Sequence, residues 1–536
     1  MAAPTSADIS AALLYSNYWW GGLTITYSVP TTGSAWPGYG PSDEPANASY
    51  ATLTGQQAAR FAQAAAAWDD VAAFRIVPVS DGATSGQIRV AFTDVDAFQG
   101  ANVWGYAESP PYRGGIAQAP AGDIWIDSGR TSSSFGDNSY DYMATIHELG
   151  HALGLKHPFE EGSTLPAAYD NHRYTVMSYT EYADDLYRTV EATGSGIRVT
   201  PQAIYPTTPM VFDVLAMQAR YGADAGAAQG DTVYSFGAAP FMKTIYDAAG
   251  TDTIDLSGHA RSSIIDLTPG AYSSIDYWSA ADQAAYWTRA YPWAASFIGQ
   301  QFNQASTYTW SNNLGIAYGA VIENVAAGSG ADTITGNSAA NNISGGAGAD
   351  SIDGGVGADY LRGDDGDDAM VGGAGFDDMN GNVGNDTLSG GADGDWVVGG
   401  KDNDRLFGED GGDIVYGNLG NDTCDGGTGD DIVRGGQGED VLYGGDGADW
   451  LSGDRGNDTI TGGQGADVFH AFSGCGLDRV LDFQSAQGDR IQLDAGTAYN
   501  VMQSGADTIV DLGGGDQVVL VGVTAAALPS GWIFVV

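Results

Sequence analysis

Three of the chain's six histidines fall within eleven residues: His147-Glu-Leu-Gly-His151-Ala-Leu-Gly-Leu-Lys-His157. On a helix, residues four apart lie one above the other on the same face. His147 and His151 can therefore bind one Zn²⁺ through their imidazoles. Glu148 sits beside them, placed to take a proton from a water on the metal. Gly154 can end the helix in a left-handed conformation and turn the chain back. That turn lets His157 supply a third nitrogen. Three protein ligands leave a position open, which separates a catalytic zinc from a closed structural one. A structural site would have no use for the glutamate, and five fixed positions argue against a chance cluster.

Elements must hold this motif. Tyr142 to Leu155 reads as the helix that carries it. Gly55 to Ala73 reads as a second helix, alanine-rich, with Phe61, Ala64 and Trp68 spaced to face a core. Met210 to Tyr221 reads as a third, ended by Gly222. Gln87 to Phe92 and Asp123 to Ile126 read as short strands. Residues 1 to about 230 are thus mixed α and β. Residues 270 to 312 are rich in Tyr, Trp and Ser and show no clear period.

From Ala327 to His470 the chain divides into sixteen consecutive nonapeptides without insertion. Typical repeats are Gly-Gly-Ala-Gly-Ala-Asp-Ser-Ile-Asp (345 to 353) and Gly-Gly-Asp-Gly-Ala-Asp-Trp-Leu-Ser (444 to 452). The eighth position is always apolar, and Cys424 occupies it once as a small buried hydrophobe. The sixth is Asn341 once and otherwise aspartate. From the third repeat on these are Asp350, Asp359, Asp368, Asp377, Asp386, Asp395, Asp404, Asp413, Asp422, Asp431, Asp440, Asp449, Asp458 and Asp467. Glycines allow a tight turn, and the last three residues are extended with position eight inward. One repeat cannot bury that side chain, so the repeats must stack. Stacking brings the aspartates into rows that repel one another. Ca²⁺, a cation that prefers oxygen ligands, supplies the missing attraction. A disordered linker would not keep a nine-residue register. Residues 471 to 536 hold alternating segments at Arg479–Phe483, Thr508–Leu512 and Gln517–Val521, which fit a β cap on the stack.

Composition narrows the function further. At 536 residues the chain has room for two to four domains. It carries 67 acidic and 20 basic residues, a net charge of −47. The repeat block alone holds 29 acidic and 5 basic residues. Such a charge repels nucleic acid and anionic membrane surfaces. With only Cys424 and Cys475, it is no disulfide scaffold. Met1 to Trp20 lack the basic and apolar regions of a cleavable secretory signal. No apolar run is long enough to span a bilayer. No oligomerisation signal is visible, so a monomer is expected.

Downstream of the histidines stands Tyr174-Thr-Val-Met-Ser-Tyr179. Here the chain resembles the serralysin family, because metal helix, Val-Met-Ser-Tyr turn and nonapeptide array occur in that family's order. Leu53-Thr-Gly-Gln-Gln-Ala58, Trp68-Asp-Asp-Val71, Trp104-Gly-Tyr-Ala107, Gly122-Asp-Ile-Trp125 and Gly230-Asp-Thr-Val-Tyr234 match it too. The resemblance implies an α+β metzincin-type catalytic domain followed by an all-β parallel β-roll of the RTX type with a C-terminal β cap. The expected layout is a short propeptide or N-terminal extension (1–18), a zinc metallopeptidase domain (19–235), a connecting β segment with an aromatic-rich insertion (236–326), the β-roll (327–470) and a cap with secretion signal (471–536).

The resemblance also implies residue roles. Met177 would form the turn beneath the metal. Tyr179 would be a further zinc ligand that swings away to hydrogen-bond the tetrahedral intermediate. Asp247 and Asp252 would bind a calcium outside the roll. The implied activity is a zinc endopeptidase acting on proteins or peptides, with one catalytic Zn²⁺ and several structural Ca²⁺ ions. Export from a Gram-negative bacterium would use a type I system that reads the uncleaved C-terminus, and the array would fold on meeting millimolar Ca²⁺ outside. Residues 181–209 and 276–312 are longer than the family leads one to expect. Either is a plain surface insertion or a shaper of the cleft.

Overall fold

The computed structural model describes residues 3–34, 36, 39, 50–82, 86–99, 102–115, 120–160 and 162–536. The chain forms two compact units. The first comprises Met1–Asp231, Gly237–Gly250 and Pro269–Ala320; the second comprises Thr232–Phe236, Thr251–Thr268 and Val321–Val536. Residues 236–326 are therefore shared between the two.

The first unit contains α1 (Ser6–Leu13), β1 (Thr24–Ser28), α2 (Gly55–Asp69), β2 (Arg75–Pro78), β3 (Ile88–Thr93), α3 (Asp96–Gln99), β4 (Gly105–Ala107), β5 (Ile124–Asp127) and α4 (Tyr140–Leu153). Then follow β6 (Leu186–Thr193), β7 (Gly196–Ala203), α5 (Val211–Tyr221), α6 (Ala280–Ala290) and α7 (Ala295–Phe302). Five strands make a sheet in the order β2-β1-β3-β5-β4. All pair in parallel except β4, which runs antiparallel to β5.

Thr54 and Gln57 cap the start of α2 reciprocally. Phe61, Ala64 and Trp68 share its buried face, as their spacing predicts. The Trp68 indole donates to the Ile146 carbonyl at 3.0 Å, which joins α2 to the middle of α4. Losing a buried ring of this size costs about 3–5 kcal/mol. The helix stops at Asp69, short of the expected Ala73, and Val71, Ala72 and Phe74 go into the core from the turn that follows.

The N-terminal segment is woven into this core. Ile9, Ala12 and Leu13 are fully buried. Tyr15 N donates to Gly154 O, and Lys156 N to Leu13 O at 2.7 Å. Met1 and Ala2 of the expected 1–18 extension lie outside the described residues.

The two long stretches meet each other. β6 and β7 form an antiparallel hairpin. Val190 of the hairpin packs with Ala284, Ala294, Ile298 and Phe302 from α6, α7 and the turn between them. Arg188 is buried at the base of the module, where its guanidinium donates to Thr307 Oγ1, Gln304 Oε1 and Ser306 Oγ.

The second unit is a parallel β-solenoid. Successive repeats contribute strands alternately to two sheets of thirteen strands each. One column of paired residues runs Leu361, Met379, Val397, Val415, Val433 and Leu451; the opposite one runs Ile352, Met370, Leu388, Leu406, Cys424 and Leu442. Partners are eighteen residues apart, so two nonapeptides make one turn. These position-eight side chains form the interior and are at most 1 % exposed. Several glycines take positive φ and leave no room for a side chain: a Cβ on Gly366 (φ 151°) would meet Gly348 O. Past the roll, Asn500–Ser504, Asp507–Gly513 and Asp516–Leu520 form an antiparallel meander that joins one sheet through Leu477–Val480, while Ile533–Val535 extends the other.

Candidate metal centre and its cleft

Ser139 caps α4 by accepting from Tyr142 N, and Gly154 ends it at φ 111°. A Cβ there would stand 2.9 Å from Tyr18 O, so both the conformation and the space favour glycine. The reversal that follows brings His157 back over the helix. Its Nε2 lies 3.2 Å from His147 Nε2 and 3.0 Å from His151 Nε2. The three ligand nitrogens all lie within 4.8 Å of one another. Nitrogens about 2.1 Å from one tetrahedral ion would be about 3.4 Å apart, so the set fits Zn²⁺.

The second nitrogen of each ring is anchored. His147 Nδ1 donates to Val176 O at 2.7 Å, and His151 Nδ1 to Leu155 O at 2.9 Å. His157 Nδ1 is paired with Glu160 Oε1 at 2.5 Å. These bonds fix the tautomer that presents Nε2 to a metal. Burial, reinforced by the neighbouring imidazoles, holds His147 well below the usual histidine range and His151 at about 4. Burial, then Lys156, does the same for His157, also to about 4. All three rings are neutral at pH 7, as ligation requires.

Beneath them lies the turn at Met177, which is fully buried. A Cβ on Gly150 would meet the Met177 sulfur at 2.6 Å, so that glycine admits the turn against α4. Asp213 of α5 holds the turn in place. Its carboxylate accepts from Thr175 Oγ1 at 2.5 Å, Val176 N at 2.8 Å and Met210 N at 2.9 Å. Burial pushes this carboxyl up to about 7. The chain from Asp213 through Val176 to the His147 ring is a support that spacing does not disclose. Glu160 escapes sequence reasoning likewise. An acidic residue three positions after the last histidine is the only available signal.

Glu148 is buried, and its Oε2 has no hydrogen-bond partner among the described residues. Burial pushes its carboxyl up to about 8. Tyr179 is 64 % exposed, its ring 4.5 Å from His157 and 5.6 Å from His147. Glu148, Tyr179 and His147 line a cavity of about 270 Å³ whose walls include Trp104, Met143 and His172. His172, for which the sequence offers no role, donates from Nε2 to Ser178 O at 2.9 Å.

The solenoid carries the other ligand set. From Asp350 to Asp449, the Oδ1 atom of each position-six aspartate accepts the backbone N–H of the residue one turn earlier, as Asp368 does from Asp350 and Asp404 from Asp386. Asp359 accepts from Asn341 N in the same way, and Asp467 from Asp449 N. Among the described residues, Oδ2 of Asp350, Asp359, Asp368, Asp377, Asp386, Asp395, Asp404, Asp413, Asp422, Asp431, Asp440, Asp449 and Asp458 is buried with no partner at all. Beside each lies a glycine whose added Cβ would collide with it, at 2.5 Å for Gly345 and Asp350. A row of orphaned carboxylate oxygens in a glycine cradle fits Ca²⁺. Asp247 is buried in the first unit and Asp252 in the second. Asp247 Oδ1 accepts from Ala249 N, and Asp252 Oδ1 from Thr232 N. His259 Nε2 donates to Phe236 O, and His470 pairs with Asp494.

Known proteins agree with this division. Residues 46–187 match the matrixin family. Residues 326–474 match the RTX calcium-binding nonapeptide repeat in six segments. Serralysin of Proteus mirabilis is 28 % identical over 238 residues, which cover 39 % of this chain and 46 % of the relative. Serralysin B of Dickeya chrysanthemi is 29 % identical over 233 residues, 39 % of each. Metalloprotease AprA of Pseudomonas entomophila is 28 % identical over 287 residues, 49 % of each. The matches thus span half or less of the relatives' own length. With a matrixin match around His147–His157, RTX repeats along its solenoid and serralysins among its relatives, the chain is similar to the serralysins in both of its parts.

Proposed function

We propose that the protein is a calcium-folded zinc endopeptidase that acts outside the cell. The observation that carries the reading is the convergence of three Nε2 atoms, each ring anchored through Nδ1, at the edge of a cleft that also holds Glu148. Zn²⁺ on His147, His151 and His157 would supply an acidified water and a Lewis acid for the scissile carbonyl. Zn²⁺ beside it would bring the Glu148 carboxyl back into its ionised form, and Glu148, with one oxygen free of partners among the described residues, then takes the proton from the attacking water and passes it to the leaving amine. Burial, together with the Glu148 charge, pushes the Tyr179 phenol up to about 12, so it stays protonated and can donate to the developing oxyanion. Met177 shapes the floor without reacting. The orphaned aspartate oxygens take Ca²⁺, and extracellular calcium makes their folding conditional on export. The RTX repeats support export by a type I system.

The test is cleavage of denatured, labelled casein by the calcium-saturated protein with and without a zinc chelator. Activity lost to the chelator and restored by Zn²⁺ supports the reading. A folded, zinc-loaded sample that cleaves nothing overturns it.

A further inference from the structure

The cavity beside the zinc ligands measures about 270 Å³. Pockets for drug-sized ligands run from about 300 to 1,000 Å³, so this one suits a single side chain. Its inner wall is apolar, formed by Val103, Trp104, Met143 and Ala144. Its polar wall carries two acids, Glu148 and Glu181, and no Lys or Arg is among the described residues that line it.

Glu181 opens the long stretch 181–209 that leads into hairpin β6–β7. It is held in position by the chain that leaves the hairpin just past β7, where the Tyr205 hydroxyl donates to Glu181 Oε1 at 3.0 Å. Tyr205 in turn packs edge-on against Tyr140, another residue of the cavity wall, with ring centres 5.5 Å apart. The cations nearby are committed elsewhere. Arg173 pairs with Asp184 at 3.1 Å, Arg130 with Asp141 at 3.4 Å, and Arg188 is bound within the hairpin module. Behind Glu181, burial and the Glu181 charge push the Asp185 carboxyl up to about 6, which fits acids with no cation between them.

An apolar shaft whose wall carries a carboxylate with no paired cation among the described residues complements an aliphatic stem that ends in a positive charge. We propose that Glu181 is a specificity-determining residue that selects peptide bonds flanked by lysine or arginine on the side that enters this cavity. The long 181–209 stretch then has a role: it places the acid and braces it through Tyr205. This inference rests on the peptidase reading and adds which bonds are cut.

The experiment uses the full chain, saturated with Zn²⁺ and Ca²⁺, on a proteome-derived peptide library with cleavage sites read by mass spectrometry. The expected result is Lys and Arg enriched about fivefold at one position flanking the cut, equal to about 1 kcal/mol. Glu181→Gln should abolish that preference, and Glu181→Lys should turn it towards Asp and Glu. Cleavage without basic enrichment, or enrichment that survives both substitutions, overturns the role of Glu181 and leaves the peptidase reading standing. A zinc-loaded wild type that cuts no peptide overturns both.

Discussion

The two units treat their buried titratable groups in opposite ways. In the first, nearly everything around the metal centre is satisfied within the chain. Each imidazole has an oxygen on Nδ1, and the Asp213 carboxylate accepts three hydrogen bonds. In the solenoid, thirteen position-six aspartates each keep one buried oxygen with no donor among the described residues. Burial, then neighbouring aspartates, pushes Asp404 up to about 8 and Asp350, Asp395, Asp440 and Asp449 to about 7. Burial also raises Asp377, Asp386, Asp422, Asp431 and Asp467, to about 6. The lesson is that one metal is an addition to a finished site, whereas the other is a structural component of the fold.

The largest expected effect follows from that contrast. These aspartates have folded-state values above the ordinary 3.8, so the calcium-free solenoid is most favoured below about pH 4, where both states are protonated. As pH rises from about 4 to 8 the unfolded carboxyls ionise first and stability is lost. Each tenfold gain in a carboxyl's proton affinity on folding corresponds to about 1.4 kcal/mol of stability lost once pH exceeds the folded value. Repeated along the row, these losses all act in one direction, against a margin of only ~5–15 kcal/mol for a whole domain. Chelating Ca²⁺ at pH 7.5 should therefore remove the solenoid's large share of the β signal in circular dichroism, with partial recovery at pH 5. Zinc removal should leave it intact. A calcium-free solenoid that stays folded at pH 7.5 would break the comparison.

Within the first unit the support should be costly to remove. Asp213→Ala leaves Val176 N and Met210 N without their acceptor. A loss of about 3–5 kcal/mol is expected, read as a lower thermal midpoint of the zinc-free protein. A smaller effect sharpens the picture of the ligands themselves. His147 and His151 are oriented by backbone carbonyls, but His157 depends on a side chain, Glu160. Glu160→Gln should weaken zinc about 10- to 100-fold in competition with a chromophoric chelator. An unchanged affinity would show that the turn alone orients His157.

Local spacing makes much of this legible. A four-residue interval on one helix brings His147 to His151, and a left-handed glycine brings back His157. An unbroken nine-residue period implies stacking, and stacking aligns the aspartates. What spacing cannot reveal depends on contacts distant in sequence. Helices α6 and α7 arise in a stretch with no clear period because their apolar side chains are divided between each other and a hairpin about 100 residues upstream, at Val190. Asp213 reads as an ordinary helical acid until the turn at Val176 is packed against it. Glu181 is braced by Tyr205, which comes beside it once β6 and β7 pair.

The most direct test of the central claim is Glu148→Gln, with zinc content and casein cleavage measured on the same calcium-folded sample. The amide keeps the shape and loses the proton acceptor. One zinc per chain and turnover reduced by about 10²–10⁴-fold are expected. A zinc-loaded variant that cleaves casein at the wild-type rate would contradict it.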